Sequence, residues 1–400
     1  MSAAVARAPG PQSATSRVLK RGWILAAVIG LSIRLVAVSY SQRYGHYGDH
    51  DDFIRWGIQA TDRGVLTLYD EPPPPWNGWR LNNGRWGLGR RPIDRICNYP
   101  PLSAYLFWAN GALLKLIDPA RLINSSASRY LFAVWGLIAD FAVAGGVAAI
   151  VQTLRSGKSS LPAFVATLLA PPLIWDSAVW GQTDSWLLAP AVWCVWALLR
   201  QRWLLAGVIG GVMLGLKTQA VLIFPAWLVA MAVHRKGLRP LIGIAGAFLL
   251  LNVLALPFTM HGGLAWWRES YTYNLLHAYK YTTLKAFNIW YVDLLLSENR
   301  DASVKLLGLE KDLWGKLLLA AALPGMAIVL WRRCGRQPRA LLYWTVLSLL
   351  AFVTLPTRVH ERYVVLAIPF AIAAAMVRVR VWWGLGPLLL AATFQLAWNL

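Results

Sequence analysis

The groups best suited to chemistry in this sequence form a short acidic stretch that follows the first apolar segment. The stretch reads YGDHDDFIRWG over residues 47–57, and it places three carboxylates and a histidine at consecutive positions from Asp49 to Asp52. A carboxylate can act as a general base toward a substrate hydroxyl. It can equally cap the helix that follows by accepting free backbone N–H groups. Because one cap satisfies one helix end, three carboxylates leave at least one available for chemistry.

A metal site is the less favoured interpretation of the same stretch. His46, Asp49 and His50 could bind one side of a zinc ion, but no nearby residue completes the set of ligands. The three cysteines of the chain fit no metal-binding spacing either. We therefore expect neither a metal nor a cofactor.

The composition of the chain predicts the elements that must position these groups. The 400 residues are 57% hydrophobic and only 14% charged, and long apolar runs recur, as membrane-spanning helices of ~20 residues require. This pattern predicts an all-α polytopic membrane protein, a bundle of about eleven transmembrane helices. The predicted spans are residues 22–41, 130–151, 160–177, 185–199, 203–216, 219–233, 240–257, 313–331, 340–356, 363–377 and 382–398.

The distribution of charge predicts how the bundle is oriented. With the N-terminus in the cytoplasm, the inner segments are the N-terminal tail, RSGKSS, RQR, HRKGLRP, RRCGRQPR and RVR, and none of them contains Asp or Glu. Such a bias follows the rule that cytoplasmic loops are basic. The net charge of +21 is thereby explained without nucleic acid, which we exclude as a partner.

This orientation also divides the chain into regions. Residues 1–16 are predicted to be a disordered cytoplasmic tail, and residues 17–400 a single transmembrane domain. The apolar segment 100–117 would invert every later loop if it crossed the membrane, so we interpret it as an amphipathic or re-entrant helix. The first outer loop then covers residues 42–129, with surface helices at its two ends, and a second long outer loop covers 258–312.

Two ionisable residues lie deep inside predicted spans, away from the span ends. Asp140 is in the middle of the second span, and Arg34 is at a comparable depth in the first. A charge in lipid needs a partner, so we predict an ion pair between them, with a structural role.

Six polar motifs interrupt the apolar pattern, and this orientation places them all at the outer face. They read YGDHDDFIRW (47–56), NYPPLSAY (98–105), WGQTDSW (180–186), LKTQAV (216–221), TLKAFNIW (283–290) and TRVHERY (357–363). Their order and spacing resemble those of bacterial GT-C glycosyltransferases that use a polyprenyl-phosphate sugar, such as mannosyl- or glucosyltransferases. The resemblance covers about residues 22–377. It implies a GT-C-like bundle at the plasma membrane, with its active site on the extracytoplasmic face.

The resemblance implies that a hexose moves from the lipid phosphate to an acceptor hydroxyl with inversion. Such a reaction needs a base for the acceptor proton and cations for the leaving phosphate. Asp49 matches the position of the family's aspartate, and Asp51 is the alternative base. The candidate cations are Lys217, Arg358, His360 and Arg362. Arg358 and Arg362 could equally contact lipid headgroups, whereas Lys217, at the outer end of a short span, is expected to meet an anion whose identity the sequence does not give.

The remaining candidates would contact the sugar or the acceptor, a glycan or glycolipid. Gln182 and Asp184 could bind sugar hydroxyls, although Asp184 could equally cap the next helix. Trp180 could stack on a sugar ring or serve as an interfacial anchor. Tyr99, followed by two prolines, is expected to shape its loop.

Two other classes of function compete with the transferase. A secondary transporter of a lipid-linked or small anionic solute would carry internal repeats and ionisable groups at mid-membrane. The sequence has no evident repeat, and its ionisable groups gather at one face. A scaffold without catalysis would not need six polar clusters, so the lipid-dependent transferase is the favoured hypothesis.

Overall fold

The computed structural model describes residues 11–44, 47–70, 96–121, 123–156, 159–234, 237–276 and 280–399. These residues form a helical bundle with two short pairs of strands, which confirms the predicted all-α polytopic class. The first half of the chain contains helices α1 (Pro11–Tyr44), α2 (Tyr47–Arg63), α3 (Pro101–Ile117), α4 (Ser126–Leu154), α5 (Leu161–Leu168), α6 (Pro171–Ile174), α7 (Asp184–Leu199) and α8 (Trp203–Leu216). The second half contains α9 (Pro225–His234), α10 (Arg239–Gly262), α11 (Ala265–Trp267), α12 (Asn274–Leu276), α13 (Ile289–Ser297), α14 (Lys311–Cys334), α15 (Arg339–Thr354), α16 (Ile368–Val377) and α17 (Trp382–Trp398). The strands are β1 (Thr283–Leu284), β2 (Lys305–Leu306), β3 (Leu309–Glu310) and β4 (Val359–His360).

Length and hydropathy identify the elements that can cross a membrane. Five segments qualify alone, and a bent pair that joins α5 to the segment Pro171–Trp180 could make a sixth. The five are Arg21–Ser41, Ser126–Leu154, Arg239–Gly262, Lys311–Cys334 and Val379–Trp398. Four further apolar helical segments are shorter, and the α3 segment is in neither group. Helix α1 begins at Pro11, so the last six residues of the predicted tail are helical, while residues 1–10 lie outside the described ranges.

The third predicted span is broken in the structure instead of continuous. Pro171 and Pro172 have no backbone N–H, so the carbonyl of Leu168 loses its helical donor and the chain bends by 49°. Arg34 replaces that donor, since its Nη1 lies 2.6 Å from the oxygen of Leu168. A π-helical turn, Trp175–Trp180, follows and ends at Gly181, whose φ of 76° is readily adopted by glycine.

Close packing of α2 on α3 positions the acidic stretch. The two helices cross where Gly57 meets Gly111, and a Cβ on Gly111 would lie 2.0 Å from the carbonyl oxygen of Gly57. Next to this crossing, the ring of Phe53 stacks on Phe107 and Phe132 at 5.5 and 5.2 Å between centroids. Buried aromatic rings of this kind hold the start of α2 against the bundle.

The C-terminal polar motif is held by a small parallel sheet. Strand β4 pairs with β1, so that Thr283 lies opposite Val359 and Leu284 opposite His360. From α17, the amide of Gln395 donates to the carbonyl of Glu361 and accepts the backbone N–H of Phe287. These contacts fix residues 359–362 at one end of the bundle.

Candidate active site

Asp49 contacts two of the distant polar motifs. Its Oδ2 accepts a hydrogen bond of 2.5 Å from Nε2 of Gln182 and lies 3.2 Å from Nη1 of Arg362. The Asp49 side chain is 34% exposed, whereas that of Arg362 is 10% exposed. Gln182 and Arg362 therefore fix the Asp49 carboxylate on one side, while part of it stays accessible to solvent.

Asp184 is the most deeply buried carboxylate of the same cluster. Its Oδ1 lies 2.8 Å from Nζ of Lys217, and its Oδ2 lies 3.5 Å from Nε of Arg362. Lys217 also lies over the ring of Tyr99, 5.7 Å from its centroid, and Thr183 donates to the hydroxyl of Tyr99 at 3.1 Å. The partner of Lys217, which the sequence left unidentified, is thus a carboxylate of the chain itself.

Arg362 contacts both Asp49 and Asp184, and it also lies close to a third carboxylate, that of Glu361. Its Nη1 lies 3.8 Å from Oε1 of Glu361, whose other oxygen lies 3.7 Å from Nδ1 of His360. Burial alone would lower the pKa of Arg362, but Asp49, Asp184 and Glu361 outweigh it and raise that pKa well above its usual value. The guanidinium is therefore permanently charged.

The two neighbours of Arg362 titrate below their ordinary ranges. Burial and the charge of Arg362 lower the pKa of His360, so its imidazole is neutral at pH 7. Burial alone would raise the pKa of Glu361, but His360 and Arg362 outweigh this and lower it. Glu361 is consequently ionised and His360 can serve as a neutral donor or acceptor.

Three further predicted residues are Arg358, Trp180 and Tyr99. Nε of Arg358 lies 3.1 Å from Oδ1 of Asp312, which ties it to the start of α14. Trp180 is buried in the π-helical turn. The hydroxyl of Tyr69 and that of Ser270 both donate to the carbonyl of Tyr99, at 2.6 and 2.8 Å, so this backbone is fixed by two segments.

Asp176 is a buried carboxylate that the sequence analysis missed. It lies in the π-helical turn, and neither of its side-chain oxygens has a hydrogen-bond partner among the described residues. The charges of Asp184, Lys217 and Arg362 all act on it. The criterion that singled out Asp140, an ionisable residue inside an apolar segment, would also have found it.

A second missed contact joins two motifs through uncharged groups. Nε2 of Gln219, in the LKTQAV motif, donates to the hydroxyl of Tyr363 at 2.6 Å. Tyr363 directly follows Arg362, so this bond links the Lys217 segment to the C-terminal motif. Neither residue is charged, and only their positions inside the quoted motifs pointed to them.

Arg34 and Asp140 are in contact with each other, and Asp140 also contacts the WGQTDSW segment through Ser185. Nε of Arg34 is 2.6 Å from Oδ2 of Asp140, and both side chains are almost completely buried. The hydroxyls of Ser177 and Ser185 donate to the two oxygens of Asp140 at 2.7 and 2.5 Å. The pair therefore joins α1 and α4 to the π-helical turn, through Ser177, and to the start of α7, through Ser185.

Asp51, the alternative base, is half-buried on α2, two residues beyond Asp49. His46, one of the three residues of the weighed zinc site, lies outside the described residues. Within the described ranges, no three His, Cys, Asp or Glu side chains are grouped closely enough to hold a metal ion.

His50 packs into the interior from the acidic stretch. Its ring meets that of Phe132 edge-on at 5.7 Å, and its Nε2 has no hydrogen-bond partner among the described residues. Burial, and then the charge of Arg129, lower the pKa of His50 well below its usual value. The folded protein therefore holds this imidazole in its neutral form.

Replacing His50 with glutamine is expected to flatten the acid side of the stability profile. As pH falls below about 6.5, only the unfolded wild-type chain binds a proton here, so up to about 1.4 kcal/mol of stability is lost per pH unit. Thermal unfolding of the purified protein between pH 7 and pH 4 tests this. Parallel curves for wild type and variant would contradict it.

These features define a polytopic membrane protein with a polar site assembled from both ends of the chain. The family model of glycosyltransferase family 87 matches residues 98–356, well over half of the sequence. The chain therefore belongs to glycosyltransferase family 87, a GT-C-like family of membrane glycosyltransferases, as the predicted resemblance indicated. The matched region includes Asp176, Asp184 and Lys217, whereas Asp49 and Arg362 lie outside it. A search of curated proteins gave no match.

Proposed function

We propose that this protein is an inverting glycosyltransferase that moves a hexose, mannose or glucose, from a polyprenyl phosphate to an acceptor hydroxyl. The reaction would take place at the extracytoplasmic face of the plasma membrane, as the basic inner segments of the sequence suggest. The acceptor would be a glycan or a glycolipid.

In this proposal Asp49 is the general base. It is the most exposed carboxylate of the ion-paired cluster, and Gln182 and Arg362 both orient its Oδ2. As the acceptor oxygen attacks the anomeric carbon from the face opposite the phosphate, its proton passes to Asp49. The bond from the anomeric carbon to the phosphate oxygen breaks, and the sugar is transferred with inversion.

The contacts of Arg362 carry the proposal. Its nitrogen atoms lie 3.2, 3.5 and 3.8 Å from Asp49, Asp184 and Glu361. These distances exceed the 2.7–2.9 Å or so of strong charge-assisted hydrogen bonds. Each of the three carboxylates also has a second partner, Gln182, Lys217 or His360, so the guanidinium can take a phosphate oxygen without leaving a carboxylate unpaired. The base and the phosphate ligand then belong to one polar cluster, within reach of a single bound donor.

Asp184 and Lys217 form the buried side of the proposed phosphate site, since Asp184 contacts both Lys217 and Arg362. Asp184 is completely buried and bonds Lys217 at 2.8 Å, so it holds the ammonium in place next to Arg362. A second positive charge near the leaving phosphate would stabilise the negative charge that develops on it.

An apolar cavity next to the Lys217 segment fits the tail of a lipid donor. Its volume is about 450 Å³, and among its lining residues are Leu214, Val221, Phe248, Leu251, Trp267 and Leu275. Phe248 and Leu251 lie on α10, and Leu214 lies three residues before Lys217, near the end of α8. The cavity thus lies beside a candidate span, close to the end of α8 that leads to Lys217.

A transfer assay tests both the donor class and this cavity. Purified protein in proteoliposomes should transfer radiolabelled hexose from a long-chain polyprenyl phosphate and not from a nucleotide sugar. Val221→Trp should raise the KM for the long-chain donor about fifteenfold, since losing two buried methylenes costs roughly 1.6 kcal/mol. It should change the KM for a donor with a tail of two isoprene units much less.

The matched control is Val253→Trp, on the exposed surface of α10 away from the lining residues, which should leave both KM values unchanged. Equal effects of Val221→Trp on long and short donors would reject the cavity as the tail site. Transfer from the nucleotide sugar alone would reject the donor class.

A further inference from the structure

The segment that precedes α14 exposes a set of large apolar side chains. Helix α13 exposes Leu295 and Leu296, and the turn between β2 and β3 exposes Leu307, whose side chain is 87% accessible. Leu307 has a φ of +51°, and Gly308 follows with +86°. Turn positions of this kind favour glycine or asparagine. A leucine there is unfavourable both for the backbone and for exposure to water, unless something apolar covers it.

Helix α13 is fixed to the first residue of α14. Nζ of the buried Lys311 lies 2.6 Å from Oδ2 of Asp293 and 3.3 Å from the hydroxyl of Ser297. Helix α14 is one of the segments that can cross a membrane, and only 6% of its most apolar window is buried inside the protein. Its flank therefore faces lipid, and α13 lies at the level where the helix enters the bilayer.

The hairpin folds back beside the first turn of the same helix. The indole N–H of Trp314 donates to the carbonyl of Leu306 at 2.7 Å. Trp314 lies three residues into α14, about 4.5 Å beyond Lys311 along the axis. Tryptophan is enriched at membrane interfaces, so this bond holds the apolar turn against the part of α14 that enters the lipid.

We propose that the 289–310 segment, α13 with the β2–β3 hairpin, inserts its apolar side chains into the leaflet next to the first turn of α14. The partner is the lipid bilayer itself, because the segment that carries the exposed leucines is bonded to the first turn of α14, whose flank faces lipid. The insertion depends on α14 crossing the membrane and not on the sugar-transfer reaction.

The insertion would also set the height of the C-terminal motif above the membrane. Asp312, the second residue of α14, accepts a hydrogen bond of 2.6 Å from the hydroxyl of Thr357 and lies 3.1 Å from Arg358. The backbone N–H of Arg358 bonds the carbonyl of Thr282, just before β1 pairs with β4. The inserted segment and residues 357–360 are thus braced to the same helix end.

Spin labelling tests the insertion directly. Leu307→Cys and Leu296→Cys would each carry a nitroxide label in proteoliposomes, with Arg300→Cys as an exposed polar control in the same segment. The three native cysteines are buried, so unsubstituted protein measures the background of labelling. Labels at 307 and 296 should collide more with oxygen than with a nickel chelate, which gives a positive logarithm of the ratio.

The Arg300 label should give a negative logarithm, since the chelate stays in water. Negative values at both 307 and 296 would overturn the proposal. Labels that neither reagent reaches would also overturn it, because they would show that protein covers the segment instead of lipid. Using two labelled positions keeps the test valid if one of them disturbs the turn.

Discussion

Replacing Asp49 with asparagine is expected to lower the rate of sugar transfer by about 10²–10⁴-fold, the usual contribution of a general base. Asparagine keeps the shape of the side chain and can still accept the amide hydrogen of Gln182, but it cannot take up the acceptor proton. Arg362 retains its contacts with Asp184 and Glu361. The loss should therefore appear in kcat, measured with saturating donor, while the thermal stability changes little.

Two matched variants make this result specific. Asp62→Asn applies the same chemical change on the same helix, to a carboxylate paired with Arg121 and Lys115 at the surface. It should retain full activity, because surface pairs contribute about 0–1 kcal/mol. Asp51→Asn examines the alternative base. If Asp49→Asn keeps full activity and Asp51→Asn loses it, the general base is Asp51 and not Asp49.

The second large effect is expected on folding. Asp140→Leu leaves the guanidinium of Arg34 buried without its carboxylate, and breaking a buried ion pair in this way costs about 3–5 kcal/mol. Arg34→Met should cost a similar amount, because it strands the carboxylate. The measurements are thermal unfolding in detergent and the yield of monodisperse protein.

The double variant separates a structural role from a chemical one. With Arg34→Met and Asp140→Leu combined, no buried charge is left unpaired, so most of the lost stability should return. Recovery would be incomplete, because the carbonyl of Leu168 also loses the donor that Arg34 supplies. If the double variant is as unstable as the sum of the single ones, the pair is not a simple clamp.

The arrangement of charges is compatible both with a stable cluster and with the proposed reaction. Asp184 lies deepest and pairs with Lys217, while Asp49 lies at the accessible edge and shares Arg362. A buried cation is costly without a partner, and in this site the carboxylates supply that partner. An incoming anion would then meet positive groups that are already in place, which limits reorganisation during the reaction.

Local patterns predicted most of the helices. The limits of α8 and α17 coincide with the predicted spans 203–216 and 382–398, because both are uniform apolar runs that begin within two residues of an arginine. The third span was predicted as continuous, since hydropathy does not register a missing N–H. The prolines at 171 and 172 are visible in the sequence, but the break in the span and the π-helical turn after it became clear only when the partners of the backbone carbonyls were known.

The order of apolar and basic segments along the chain determined the class of protein by itself. An apolar span and a basic loop are each recognised from residues that are neighbours in the sequence. The tertiary structure decided which polar groups meet. Asp49 and Arg362 are 313 positions apart, and no local periodicity relates them. Nor could composition show that Lys217 is neutralised by Asp184, or that Asp176 is buried beside them. Such pairings depend on how helices cross, which is set by close glycine contacts and aromatic packing in three dimensions.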